Sequence, residues 1–328
     1  MDWKKFCTFA SFLCSPAVQV AVNKQYIHQI KIKTLEETMG LRIIVLAKQV
    51  PDTRNVGKDA MKEDGTINRA ALPAIFNPED LNALEQALQL KDAHPGSTIT
   101  LLTMGLPRSA EMVRESLYRG GDDGVVLTDR PLGGADTLAT SYSLAQAIRH
   151  MGEFDIIVGG RQAIDGDTAQ VGPQIAEKLG LPQVTYAESI QVADGRATIK
   201  RRIERGFETV ECPLPLVVTV NGSADACRPR NARLVQKYKY AVTPSEKATL
   251  AADRQALVDA RPYLAIKEWG VKEIEADPEQ IGMAGSPTKV KTIVNVAFQA
   301  KEARRIDAAA DAELEGLVKE LIADHIIG

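Results

Sequence analysis

154-FDIIVGGRQAIDGDTAQVGPQIAEKLG-180 decides how the chain is read. A compact apolar run stops at Gly159-Gly160, a polar loop carrying Asp165 and Asp167 follows, and a helix opens or bends near Pro173. Ligands of open α/β sheets collect at the carboxyl ends of strands, and glycines there admit close approach to the backbone. Two helix starts fit. Asp167 caps a helix from Thr168 with Gln170 as capping-box partner, or Gly172 caps one whose first residue is Pro173. In either case the amides near Thr168 to Val171 are partly unpaired. Open amides at a helix start take anions, phosphate above all. An ordinary strand–loop–helix turn without a ligand fits the same residues.

The rest of the chain repeats the unit. RIIVLA (42–47), TITLLTM (98–104) and GVVLT (124–128) read as further buried strands. NPEDLNALEQALQLKDA (77–93) places Leu81, Leu84 and Leu88 on one helical stripe, with Asn77 as N-cap, Pro78 at the first helical position and Asp80 as capping-box acid. PRSAEMVRESLYRG (107–120) and ADTLATSYSLAQAIRHMG (135–152) are the next helices. Strands alternating with helices predict a parallel sheet covered on both faces. From 183 the pattern changes: Asp194-Gly195 and Arg205-Gly206 separate alternating runs, which read as antiparallel ribbons, and CPLPLVVTV returns to a buried strand.

The expected organisation is an α/β domain over 39–222 and an arm over 223–328 with little core of its own. The arm holds a basic cluster, Arg228, Arg230, Arg233, Lys237 and Lys239, read either as a solvated face or as a docking surface. A last helix runs through DAELEGLVKELIADHI. Residues 1–38 have the basic start and apolar middle of a signal peptide, but Cys, Thr and Ser interrupt the apolar stretch. The favoured reading makes Met39 the start and 1–38 an extension outside the fold.

Composition narrows the function. The chain has 328 residues, 45% hydrophobic and 25% charged, with a formal net charge of −3 and 5% aromatics. Neither a basic phosphate-backbone surface nor a base-stacking platform is expected, so nucleic acid is excluded as main partner. Cys7, Cys14, Cys212 and Cys227 form no CxxC pair, and His28, His94, His150 and His325 are scattered, which argues against a metal site. Asp165 and Asp167 lack a third ligand. Sparse cysteine suits a reducing cytoplasm, and no stretch reaches the length of a membrane helix. No GxGxxG, phosphate-loop or GxSxG motif is present. Four polar segments, AKQVPD (47–52), FNPEDLNALE (76–85), TMG (103–105) and 160–171, lie where strand carboxyl ends or helix amino ends gather, and the first turn at 77–80 is read with free amides. The chain reads as a nucleotide holder without its own nucleophile or acid–base pair.

RIIVLAKQVPDT, FNPEDLNALEQALQLK, LTMG and above all GGRQAIDGDTAQVGPQIAEKLGLPQVT resemble the β subunit of an electron transfer flavoprotein, over some 290 residues from about Met39. The resemblance implies a Rossmann-like, adenine nucleotide alpha hydrolase-like α/β fold, with the arm packed on an α subunit. It implies contacts to AMP or a flavin nucleotide from Ala47; from Asn77, Pro78, Glu79 and Asp80; from Met104; and from the loop Gly160, Arg161, Gln162, Ala163, Ile164, Asp165, Gly166, Asp167, Thr168, Ala169, Gln170 and Val171. IDGDTAQVGPQIAE, with small Gly166 and Ala169, and GSPTKVKT (285–292) resemble the FAD-binding, electron-bifurcating kind, which takes electrons from NADH. The other kind holds a structural AMP beside a single α-subunit FAD. The family's N-E-P-R-like loop that docks acyl-CoA dehydrogenases is replaced here by 219-TVNGSADACRPRNARL-234, so another flavin dehydrogenase is an expected partner. The contrasting reading is a stand-alone adenine-nucleotide-binding regulatory domain.

Overall fold

The computed structural model describes residues 40–52, 72–288, 305–307 and 309–327; the extension 1–38 lies outside them. The chain divides into two units, one ending at Lys289 and one running from Val290 to Gly328.

The strands of the first unit are β1 (Arg42–Ala47), β2 (Gln49–Pro51), β3 (Ala74–Phe76), β4 (Thr98–Met104), β5 (Asp123–Leu127), β6 (Ile156–Gly160), β7 (Gln183–Ala193), β8 (Arg196–Ile203), β9 (Gly206–Pro213), β10 (Leu216–Val220) and β11 (Lys267–Trp269). Nine of them form one sheet in the order β11-β5-β4-β1-β6-β10-β7-β8-β9, and β2 and β3 form a separate antiparallel pair. The helices are α1 (Pro78–Ala93), α2 (Ala110–Arg119), α3 (Thr137–Met151), α4 (Val171–Leu179), α5 (Ala232–Tyr238), α6 (Pro244–Lys247) and α7 (Ala252–Asp259), with α8 (Asp311–Ala323) in the second unit.

Strand alternation sorts the side chains into two cores. Ile43, Val45, Ile99, Leu101 and Val158 meet Leu84 and Leu88 of α1 and Val113 and Leu117 of α2. Ile44, Leu102, Val125 and Ile157 meet Leu144 and Ile148 of α3 and Ile175 of α4. Each fully buried aliphatic side chain stabilises the fold by roughly 1.5–3 kcal/mol. From β1 the chain steps to β4 and β5 on one side, then crosses to β6 on the other, and β1 pairs with both β4 and β6 in parallel. The strand order therefore reverses between β1 and β6, where α/β sheets open their ligand crevice.

The antiparallel ribbon forms as the turn residues predict. β7 and β8 pair through the turn Asp194-Gly195, both residues at positive φ, and β8 pairs with β9. Positive φ at both turn positions matches the twist of the flanking strands.

The expected break at residue 222 is not where the chain divides. Leu264 and Ile266 enter the first core, Ile274 and Ile281 the second, and β11 adds a parallel edge strand to β5. Three residues, KEW, are too short to show a strand period, so β11 leaves no signal in the sequence. The basic cluster is also redirected. Arg228 donates to both carboxylate oxygens of Glu85 and to Asp92, and Arg230 pairs with Glu115. These two arginines strap the segment after β10 onto α1 and α2, Arg228 half-buried and Arg230 still exposed.

Candidate functional site

Each candidate residue falls at the carboxyl edge of the sheet, at the start of α1, or in the loop joining β6 to α4. Ala47 ends β1, Met104 ends β4, Gly160 ends β6, and Asn77 with Pro78, Glu79 and Asp80 opens α1. Met104 packs on the second core. Hydrogen bonds draw the α1 start, the end of β6 and the loop together.

Asp80 sits across the β1/β6 reversal. Its carboxylate accepts from Lys48 N at 2.8 Å and from Gly160 N at 3.0 Å. Asp80 therefore makes no capping box; the two strand-end amides claim it, and Asn77 N donates to Lys48 O instead. Burial pushes the Asp80 carboxyl up to about 7, against the pull of the amides of Lys48 and Gly160 and the side chain of Asn77. The neighbouring Glu79 charge adds to the rise.

Asn77 stands at the N-cap position of α1 without capping it. Its side chain reads the loop: Nδ2 donates to Gln162 O at 2.9 Å and Oδ1 accepts from Ile164 N at 3.2 Å. Glu79 accepts from Arg161 Nη2 at 2.9 Å and from Gln162 N at 3.0 Å. The amides of Asp80 and Leu81 both close on Asn77 O, and Pro78 has none. The side chains of the first turn thus brace the loop, and of the amides expected to be free only Glu79 N has no acceptor among the described residues.

The glycines at the end of β6 also serve the protein. A Cβ on Gly160 would lie 2.3 Å from Asp80 Oδ1, and one on Gly159 would lie 3.3 Å from the Leu46 Cβ. They make room for Asp80 and for close packing. Gly166 differs: a Cβ there meets nothing within 4 Å, so the loop tip is open.

Beyond Ile164, the loop turns on Ala163, whose carbonyl accepts from Gly166 N and Asp167 N. Asp165 is held by Lys48 Nζ at 2.8 Å. Asp167 and Ala169 take positive φ of 51° and 53°. Helix α4 then starts at Val171, neither at Thr168 nor at Pro173, with Gln170 as N-cap and no side-chain cap bond. Asp167 faces back to accept from Gln162 Nε2 at 2.9 Å. Two left-handed residues delay the helix, because that backbone cannot continue into a right-handed turn. Among the described residues, no protein acceptor meets the amides from Thr168 to Gly172. They lie together at a helix start, where partial positive charge collects.

The structure adds three residues to the set. Lys48 ties β1 to the loop. Thr137, at the start of α3, donates to Gln170 Oε1 at 2.9 Å. Tyr186 sits on a bulge of β7 at φ 59°, with the Arg161 guanidinium 5.6 Å from its ring centre. AKQVPD points towards Lys48 and the helix reading of 135–152 towards Thr137, but nothing in the sequence around Tyr186 marks it. Arg161 Nε is buried without a hydrogen-bond partner. Among the described residues, no group of three or more His, Cys, Asp or Glu is placed to hold a metal ion, and no helix is long and apolar enough to cross a membrane.

The family model described as electron transfer flavoprotein domain matches residues 64–250. An electron transfer flavoprotein subunit beta of Megasphaera elsdenii is 44% identical, over 77% of this chain and 87% of its own. The caffeyl-CoA reductase-Etf complex subunit CarD of Acetobacterium woodii is 41% identical, over 76% and 86%. The acryloyl-CoA reductase electron transfer subunit gamma of Anaerotignum propionicum is 40% identical, over 88% and 100%.

Proposed function

The chain belongs to the electron transfer flavoprotein family and works in electron transfer as its β subunit beside an α subunit, and from that premise we propose that it holds FAD at the carboxyl edge of its sheet. The single observation behind the proposal is the run of amides from Thr168 to Gly172 that no protein acceptor among the described residues meets. They form a positive-ended cradle of the kind that accepts a diphosphate. The residues fit such a group: the loop tip at Gly166 is open, and the Arg161 Nε is a buried donor without a partner.

In this reading Gly166, Asp167, Thr168, Ala169, Gln170 and Val171 line the phosphates. Ala47 and Met104 border the crevice from their strand ends. Asn77, Glu79 and Asp80 act one step back: they fix Gln162, Ile164, Arg161 and the ends of β1 and β6, so the cradle is shaped before the nucleotide arrives. Pro78, Ala163 and Asp165 shape the loop and its support. When bound, the flavin supplies the one- and two-electron chemistry, and the chain binds, orients and shields it. NADH is the proposed donor, with bifurcation between two acceptors. Relatives named as electron-transfer subunits of CoA-ester reductases support a flavin dehydrogenase acting on CoA esters as the partner enzyme.

The arm fits this assembly. On α8, Leu314, Val318 and Ile322 recur every four residues and are 38%, 46% and 52% exposed. One apolar stripe along a helix needs a covering surface, and we assign it to the α subunit.

The test is to purify the chain with its α subunit and release bound nucleotide with acid. Two FAD per heterodimer supports the proposal. One FAD and one AMP places a structural nucleotide on the same amides. A colourless chain that pairs with no α subunit overturns both and leaves a stand-alone regulatory domain.

A further inference from the structure

Asp80 is a carboxylate sealed in the sheet edge, 7% exposed, that bonds two strand-end amides from opposite sides of the crevice. Nothing about strand pairing requires an acid there; β1 and β6 already pair through Ile43, Ile44 and Val45. What the acid adds is a fixed separation between Lys48 and Gly160, the residues from which the loop's two supports depart. From the first runs the Lys48 side chain to Asp165, and from the second the chain enters the loop itself. We infer that Asp80 is a positioning residue which couples nucleotide release from the β subunit to the uptake of one proton. This rests on the nucleotide reading above and deepens it.

Ionised, the carboxylate satisfies both amides. Protonated, it carries a donor of its own among groups that are themselves donors, the amides of Lys48 and Gly160, so one bond of the clamp is lost. The charges around it come from every neighbouring element. Glu79 lies next to it on α1. The Lys48 ammonium at the end of β1 is turned to Asp165 of the loop. Arg161 at the end of β6 is turned to Glu79, and Asp167 is turned to Gln162. Burial with Glu79 beside it places the titration at about 7. The clamp is therefore complete above that value and loses a bond as pH falls through it, so affinity falls below it.

The test uses the αβ heterodimer with its own nucleotide, dialysed at pH 6, 7 and 8, followed by acid release and counting of FAD and AMP per heterodimer. The wild type is expected to lose β-subunit nucleotide as pH falls from 8 to 6. Asp80→Asn, which cannot titrate and offers one acceptor oxygen, is expected to hold less at every pH with a flat profile. An Asn variant that keeps the wild-type profile overturns the inference. Should that variant not fold by circular dichroism, Glu79→Gln decides, because removing the adjacent negative charge must move the midpoint to lower pH; an unmoved midpoint overturns it equally. Nucleotide retained evenly across the range overturns the proton coupling alone. A heterodimer whose β subunit holds none at any pH overturns the nucleotide site and the coupling together.

Discussion

Lys48 Nζ lies 2.8 Å from both carboxylate oxygens of Asp165, 117 residues away in the chain. The pair joins the end of β1 to the loop after β6. Its side chains are 49% and 23% exposed, so the tie is solvent-screened and its worth is modest.

Replacing Lys48 with Met should therefore weaken nucleotide binding only about two- to fivefold, the range of an exposed ion pair. Equilibrium dialysis at low and high salt checks this: the wild-type advantage should shrink as salt rises. A loss of a hundredfold or more would mean that Lys48 touches the nucleotide.

Asn77 is fully buried and bonds two backbone groups of the loop. Asn77→Ala leaves Gln162 O and Ile164 N without partners, at a cost of about 1–3 kcal/mol. Melting should fall by roughly 2–4 °C for each kcal/mol lost in a unit of this size, and nucleotide content should fall with it. An unchanged melting curve would show that water replaces the amide.

Asp167→Leu should expel the nucleotide while the sheet stays folded. The position is exposed and at positive φ, so a leucine there adds bulk beside the open amides and about 1–2 kcal/mol of backbone strain. Asp167→Gly removes the strain and the bulk together and should retain more nucleotide than the leucine variant. Equal retention in the two would place the phosphates elsewhere.

Glu85→Ala leaves the Arg228 amide without its acceptor and the part-exposed guanidinium with Asp92 alone. The expected loss is about 2–4 kcal/mol, read as a lower denaturant midpoint. Glu85→Gln keeps acceptor oxygens and should lose less. If nucleotide content stays normal while partner-dependent electron transfer falls, the strap serves the segment 222–231 and not the cradle.

The alternation of buried runs and helices was legible because strand and helix periods are local properties. RIIVLA and TITLLTM became β1 and β4 with the bounds read from them, and the Asp194-Gly195 turn announced its hairpin. The loop at 160–171 was legible too, since glycines, short acids and a late proline deny it both strand and helix. Other features depended on residues far apart in the chain. Asp80 looked like a cap and Arg228 like a solvated charge. Each was claimed by a distant partner: Asp80 by Lys48, 32 residues away, and by Gly160, 80 away, and Arg228 by Glu85, 143 away. Local preference among such groups is worth a few tenths of a kcal/mol up to about one, whereas an unpaired buried amide or charge costs more. The heavier penalty decided where these side chains went, and only the folded sheet brings their partners within reach.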